Sequence, residues 1–272
     1  MNHAPRIFDH DALLRHRRRA RSDDLFLQQL AVDEVKDRLA MVNRVFRSVA
    51  IVTGFPEFWR DCFPEARLVP DSETLDLTLG AHDLVIHAMC LHWANDPVGQ
   101  IIQCRRALAP DGLFLGVLLG GRTLHELRAV LTDAESRASG GISPRVAPMA
   151  EIREAGALLQ RAGLTLPVAD SHASIAKYRN LAHLMHDLRD MGEANALAGR
   201  LRRPTARGLF ALAQALYRDE FGTDDGYLPA TFELICLTGW SPDDSQPQPL
   251  RPGSARTRLA DALGTQETKL SD

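Results

Sequence analysis

The sequence predicts an α/β fold, a doubly wound and mostly parallel sheet, and three runs of residues carry that expectation. SVAIVTG (48–54), DLVIHAMCLHW (83–93) and GLFLGVLLG (112–120) are short, nearly continuous apolar segments. Segments with helical spacing separate them. Strands that are apolar at almost every position belong in a parallel sheet covered on both faces.

Taken in order, residues 9–46 carry apolar side chains at helical spacing (Leu25, Leu27, Leu30, Val32, Val35, Leu39, Val42) and predict one or two leading helices. Arg15, Arg17, Arg18, Arg19 and Arg21 cluster near their start, which suits a solvated helix face or docking to an acidic partner. The strand at 48–54 ends in glycine, a helix is expected around 55–63, and ARLVPD (66–71) reads as a second short strand, making a βαβ opening. DPVGQIIQCRRAL (96–108) is an amphipathic helix leading into the 112–120 strand.

Beyond Gly121 the pattern turns helical over 123–138 and 149–163, the latter stopped by Gly163. A strand is expected at 168–178, helices at 180–191 and 204–220, and a last strand at 228–240, where LPATFELICLTGW is β-branched and aromatic. Three regions result: an N-terminal helical extension over 1–46, one α/β domain over 47–240, and a mobile Pro-rich tail over 241–272.

With 272 residues, 45% of them hydrophobic, the chain can bury one large core. A net charge of −3 supplies no global positive field for a nucleic acid or an anionic membrane. Cys62, Cys90, Cys104 and Cys236 are scattered without a CxxC pair, which fits reduced thiols in a cytoplasmic protein. The longest apolar run, 113–119, is far too short to cross a bilayer, so no membrane insertion is expected. GxSxG, HExxH and GxxxxGKS/T sequences do not occur, which removes the common hydrolase and NTPase readings. His183, His186 and Asp190 share a helical face but make no recognised zinc signature, and no metal is expected.

The segment from Asp83 to Gly121 contains Leu108, Pro110, Asp111 and Gly112 in an L-x-P-D-G turn before a strand. It resembles the corresponding half of the Rossmann-like class I methyltransferases, which use S-adenosylmethionine (SAM). Blocks at 120–148, 187–195 and 227–240 are similar to those of the methyltransferase-like assembly factors of respiratory complex I, themselves related to the malonyl-carrier-protein methyltransferases of biotin synthesis. The resemblance covers most of the chain. It implies a class I methyltransferase fold, SAM as cofactor, and a complex I subunit as possible partner.

Two departures stand out. The family's first strand ends in an acidic residue and a GxGxG loop, but here AIVTGFPEFW (50–59) keeps Gly54 alone. The distance from that strand to Asp83 is also short by roughly one strand-helix unit. Asp71 therefore matches either the second-strand acid that binds ribose hydroxyls or the third-strand acid near adenine.

The resemblance implies that Gly54, Asp71, His87, Ala88 and Met89 bind cofactor; otherwise they are a strand-ending glycine with core neighbours. His92 and Trp93 follow a strand at the sheet's carboxyl edge, where His92 can serve as general base and Trp93 can touch substrate. Arg122, Glu126 and Arg145 are the remaining substrate candidates, the arginines for an acidic group. Two functions follow. One is methyl transfer from SAM to a protein side chain or carboxylate. The other is a catalytically inactive scaffold that holds a complex I subunit; hydroxylation of a protein side chain by a relative of the same scaffold is a third possibility.

Overall fold

The computed structural model describes residues 6–247 apart from 22 and 24, together with 261, 264 and 265. Its strands are β1 (Val49–Thr53), β2 (Arg67–Val69), β3 (His82–Ala88), β4 (Leu108–Leu119), β5 (Thr165–Tyr178) and β6 (Leu228–Trp240). They build one sheet in the order β2-β1-β3-β4-β6-β5. The neighbours among β1 to β4 pair in parallel, whereas β6 runs antiparallel to both β4 and β5. The helices are α1 (His10–Arg17), α2 (Phe26–Met41), α3 (Pro56–Cys62), α4 (Pro97–Ala107), α5 (His125–Ser139), α6 (Ile152–Arg161), α7 (Leu181–Asp190) and α8 (Arg207–Phe221).

Alternation along the strands decides the layers. Ile51, Leu84, Ile86, Leu115, Val117 and Cys236 face one way and pack with α2, α3, α5, α7 and α8. Their neighbours Ala50, Val52, Val85, Phe114, Ile235 and Leu237 face the other way and pack with α4 and α6. Both faces of the sheet are thus apolar and covered, which is why its strands read as continuous apolar runs. The fold is a doubly wound, mostly parallel α/β sheet, as the apolar strand runs predict.

The shortened spacing has a visible consequence. β2 is an edge strand of three residues, and residues 70–81, which carry the chain from β2 past β1 to β3, form neither helix nor strand. The strand-helix unit expected at that edge is absent. The connection is held against α4 by side-chain amides instead: Leu75 N donates to Gln103 Oε1 at 2.8 Å, and Gln100 Nε2 donates to Ser72 O at 3.1 Å. α4 itself starts where Pro97 occupies a first-turn position and Asp96 caps the Gly99 amide at 2.8 Å.

The chain divides into two compact units, Met1–Pro242 and Asp243–Asp272. The leading helices α1 and α2 are part of the first. Most of the Pro-rich tail expected over 241–272 lies outside the described residues; at its start, Asp243 Oδ1 accepts from Ser245 N at 2.9 Å.

Trp59 is fully buried and donates from Nε1 to Gln28 Oε1 at 2.9 Å, joining α3 to α2. Trp59→Ala is expected to lower stability by about 3–5 kcal/mol, because it opens a cavity and strands a buried amide oxygen. Urea unfolding of the two proteins checks this.

Candidate functional site

Three strand ends meet at the carboxyl edge of the sheet, where open α/β folds hold ligands. β1 runs into Gly54, β2 into Asp71, and β3 into Met89 and a single 3-10 turn, Leu91–Trp93. Asp71 lies just after β2, which places it at the second-strand position and not the third. Met89 adopts a left-handed backbone (φ 52°). Cys90 Sγ then accepts from Gly54 N at 3.1 Å and donates to Ala88 O at 3.0 Å, tying the ends of β1 and β3 together. Gly54 and Asp71 thus stand at adjoining strand ends, whereas His87, Ala88 and Met89 are fully buried.

One side chain fills the space between Gly54 and Asp71. Arg17, the last residue of α1, has a side chain only 4% exposed, and its Nη1 donates to both carboxylate oxygens of Asp71 at 2.8 Å. A Cβ built on Gly54 would lie 2.3–2.5 Å from Arg17 Cζ, Nη1 and Nε, so the guanidinium rests directly on the glycine. The Phe55 ring lies 5.9 Å from Cζ. Arg17 Nε and Nη2 are buried without partners, each unmet donor costing about 1–3 kcal/mol. An adenosine-bearing cofactor does not fit beside this arrangement, because its ribose would need the Asp71 oxygens and the open face of Gly54. His87 is also engaged, its Nε2 lying 2.6 Å from Gln100 Oε1. Burial pushes its pKa down to about 4, so the ring is neutral at pH 7.

His92 and Trp93 turn toward a second carboxylate. Trp93 Nε1 donates to Glu193 Oε2 at 2.8 Å, and His92 Nε2 faces the same oxygen at 3.4 Å while its Nδ1 accepts from Leu119 N at 3.3 Å. Burial works to raise the Glu193 carboxyl, but the His92 contact and the charge of Arg17 outweigh it and hold the group below its ordinary range. Glu193 Oε1 is buried with no partner. Beside it opens a cavity of about 240 Å³ whose lining includes Trp93, Leu127, Met149, Met185 and Phe232.

The other candidates are dispersed. Arg145 lines the same cavity, yet its guanidinium bonds Glu135 (Nη2 to Oε1, 2.7 Å) and Thr205 Oγ1 (3.1 Å). Glu126 is buried and accepts from Thr231 Oγ1 at 2.5 Å and Thr231 N at 3.2 Å, locking α5 to β6. Arg122 sits on the turn before α5, its Nη2 lying 3.2 Å from His125 Nε2. Sequence reasoning missed Arg17 and Glu193 as site residues. Glu193 does lie inside the 187–195 block, and Arg17 inside the arginine cluster, of which Arg15, Arg18, Arg19 and Arg21 stay exposed. Among the described residues Glu34, Asp170 and Cys236 could approach a metal ion, but Arg38 already bonds both carboxylates. No helix among the described residues is long and apolar enough to cross a membrane.

No family model matches the chain. It is 36% identical over 198 residues to Arginine-hydroxylase NDUFAF5, mitochondrial, of Danio rerio, covering 73% of this chain and 61% of that protein. The Malonyl-[acyl-carrier protein] O-methyltransferase of Xylella fastidiosa (strain M23) is 32% identical over 179 residues, covering 66% of this chain and 58% of the relative. "Putative methyltransferase RP459" of Rickettsia prowazekii (strain Madrid E) is 30% identical over 174 residues, covering 63% of this chain and 77% of its own length. The chain thus spans less than two thirds of the arginine-hydroxylase relative.

The Arg145 bonds, together with those from Ser143, hold the Glu135 carboxyl down to about 2 from about 4.5. A carboxyl depressed in the folded state contributes stability above its unfolded pKa and loses it as pH falls through the folded one. Glu135→Gln is therefore expected to unfold at lower urea than the parent at pH 7. The gap should close as pH drops from about 4.5 to about 2.

Proposed function

This chain belongs to the class I SAM-dependent methyltransferase-like family, and from that premise we propose that it acts by receiving a side chain of a partner protein in the cavity beside Glu193. The observation that carries the reading is the buried Glu193 Oε1, an acceptor without a donor at a mostly apolar cavity that Arg145 and Arg189 also line. Such a site suits a side chain with an apolar stem and an N–H head. Arginine is the residue that the Danio rerio relative's name gives as its target, and arginine has this form. Its guanidinium would donate to Glu193 while its methylenes lie along Leu127, Met149 and Met185. Trp93 fixes the other carboxylate oxygen, and His92 positions the group from the far side.

The partner in this reading is a subunit of respiratory complex I, as the resemblance to its assembly factors implies. Four free cysteines accord with a reducing, cytoplasmic setting. Methyl transfer from SAM is the weaker reading, because Arg17 holds both Gly54 and Asp71, and the site supports the assembly-factor role.

Titration with N-acetyl-arginine methylamide, followed by tryptophan fluorescence, tests the site. Binding is expected for the parent, with the norleucine counterpart bound far more weakly. Glu193→Gln should weaken it by about tenfold or more, the scale of one charge-assisted hydrogen bond. Equal binding by parent and Glu193→Gln, or no preference for arginine over norleucine, would sink the proposal.

A further inference from the structure

We infer that a basic rim beside the cavity selects a cationic side chain carried within an acidic segment of the partner, a preference that rests on the cavity receiving such a side chain at all. Two stretches of the chain make the rim. Residues 12–22 carry five arginines and no acidic residue, and so do residues 194–218, in a protein whose net charge is −3. The fold brings the two stretches together. Ala198 N donates to Ile7 O at 2.8 Å, Arg200 Nη2 donates to Asp9 Oδ2 at 2.9 Å, and His16 Nδ1 lies 3.1 Å from Ala194 O. The second stretch also frames the cavity. It leaves the lining at Ala194 and Asn195 and returns to it at Phe210. Between these points residues 198–206 form neither helix nor strand. Arg145, itself a lining residue, donates from Nη1 to Thr205 Oγ1 at 3.1 Å, and Arg189 lines the cavity from α7.

Part of this charge is met inside the molecule. Arg17 holds Asp71, and Asp9 takes Arg200 together with Arg202 at 3.2 Å. Arg15, Arg18, Arg19, Arg203 and Arg207 are exposed and pair with no carboxylate among the described residues. Arg200, Arg15 and Arg19 come from both stretches and act together on His16, whose pKa burial lowers first and their charges lower further. A lone cation approaching the cavity therefore meets repulsion at the rim and attraction only at Glu193. Acidic residues on either side of that cation reverse the repulsion. The rim then draws the segment in while its cationic side chain goes to the buried acid. Residues around the target are thus read by charges that stand outside the cavity.

Calorimetric titration of the full chain tests the rim with two peptides, acetyl-Glu-Glu-Arg-Glu-Glu-amide and its counterpart with Gln in place of every Glu. At about 50 mM salt the acidic peptide is expected to bind at least about tenfold more tightly, and the advantage should vanish near about 0.5 M salt, where screening acts within a few ångströms. Arg15→Glu with Arg19→Glu, and separately Arg203→Glu with Arg207→Glu, should each cut that advantage by about threefold or more without weakening the Gln peptide. All four sites are exposed, and if one double variant fails to fold the other decides. Equal binding of the two peptides by the parent, or an advantage that survives in the folded variants, overturns the rim. So does binding to vesicles of anionic lipid that the acidic peptide does not compete away. Norleucine in place of the central Arg separates the rim from the cavity. If the acidic norleucine peptide binds as tightly as the arginine one and still depends on the rim, the rim stands and the cavity reading falls. If arginine is preferred in both contexts but the flanking acids add nothing, the cavity stands and the rim falls.

Discussion

A guanidinium with a side chain 4% exposed must find negative charge, and the carboxyl edge of this sheet is arranged around Arg17 finding Asp71. Gly54 lets the guanidinium come this close, since a Cβ there would lie 2.3–2.5 Å from it and the arginine would have to shift. Gly192, at φ 78°, passes so close that a Cβ would lie 3.1 Å from Phe55 Cζ and 3.2 Å from Arg17 Cα. Phe55 stands where a cofactor loop would carry a small residue, and it becomes the ring beside which the guanidinium lies. The Arg17 side chain thus occupies the space beside Gly54 and satisfies the acid that follows β2.

The same constraint runs outward to the edge of the sheet. Where a further strand and helix would have braced β2, side-chain amides of α4 hold the 70–81 connection. Gln100 works in both directions, with Oε1 toward His87 and Nε2 donating to Ser72 O, directly beside Asp71. The buried histidine, kept neutral by its surroundings, adds no charge to the Arg17–Asp71 pair. A three-residue edge strand thus presents its acid in one place because bonds from two directions fix it.

The elements were legible wherever periodicity is a local property. The apolar strands showed themselves because both sheet faces are covered, and the helices because their spacing persists over several turns. Asp71 was ambiguous because counting from either flank of a deletion gives a different answer; only the register of β2 against β1 removes the choice. Arg17 was hidden for another reason. One arginine among five in a cluster turns inward, and nothing in the composition of a charged run says which. Glu193 meets His92 and Trp93 across about a hundred residues of sequence, so no spacing rule could join them. Glu126 and Arg145 had the right chemistry for a substrate. Thr231 and Glu135, their actual partners, become neighbours only after the chain has folded.

Arg17 ties the strand ends electrostatically to the cavity, because its charge is one of the causes that hold the Glu193 carboxyl down. A positive charge thus stands behind the acid that faces the cavity. That charge offsets part of the attraction Glu193 exerts on a cationic side chain. A neutral side chain in place of Arg17 would fill the same space but would leave Asp71 without its two hydrogen bonds and Glu193 without that neighbouring positive charge.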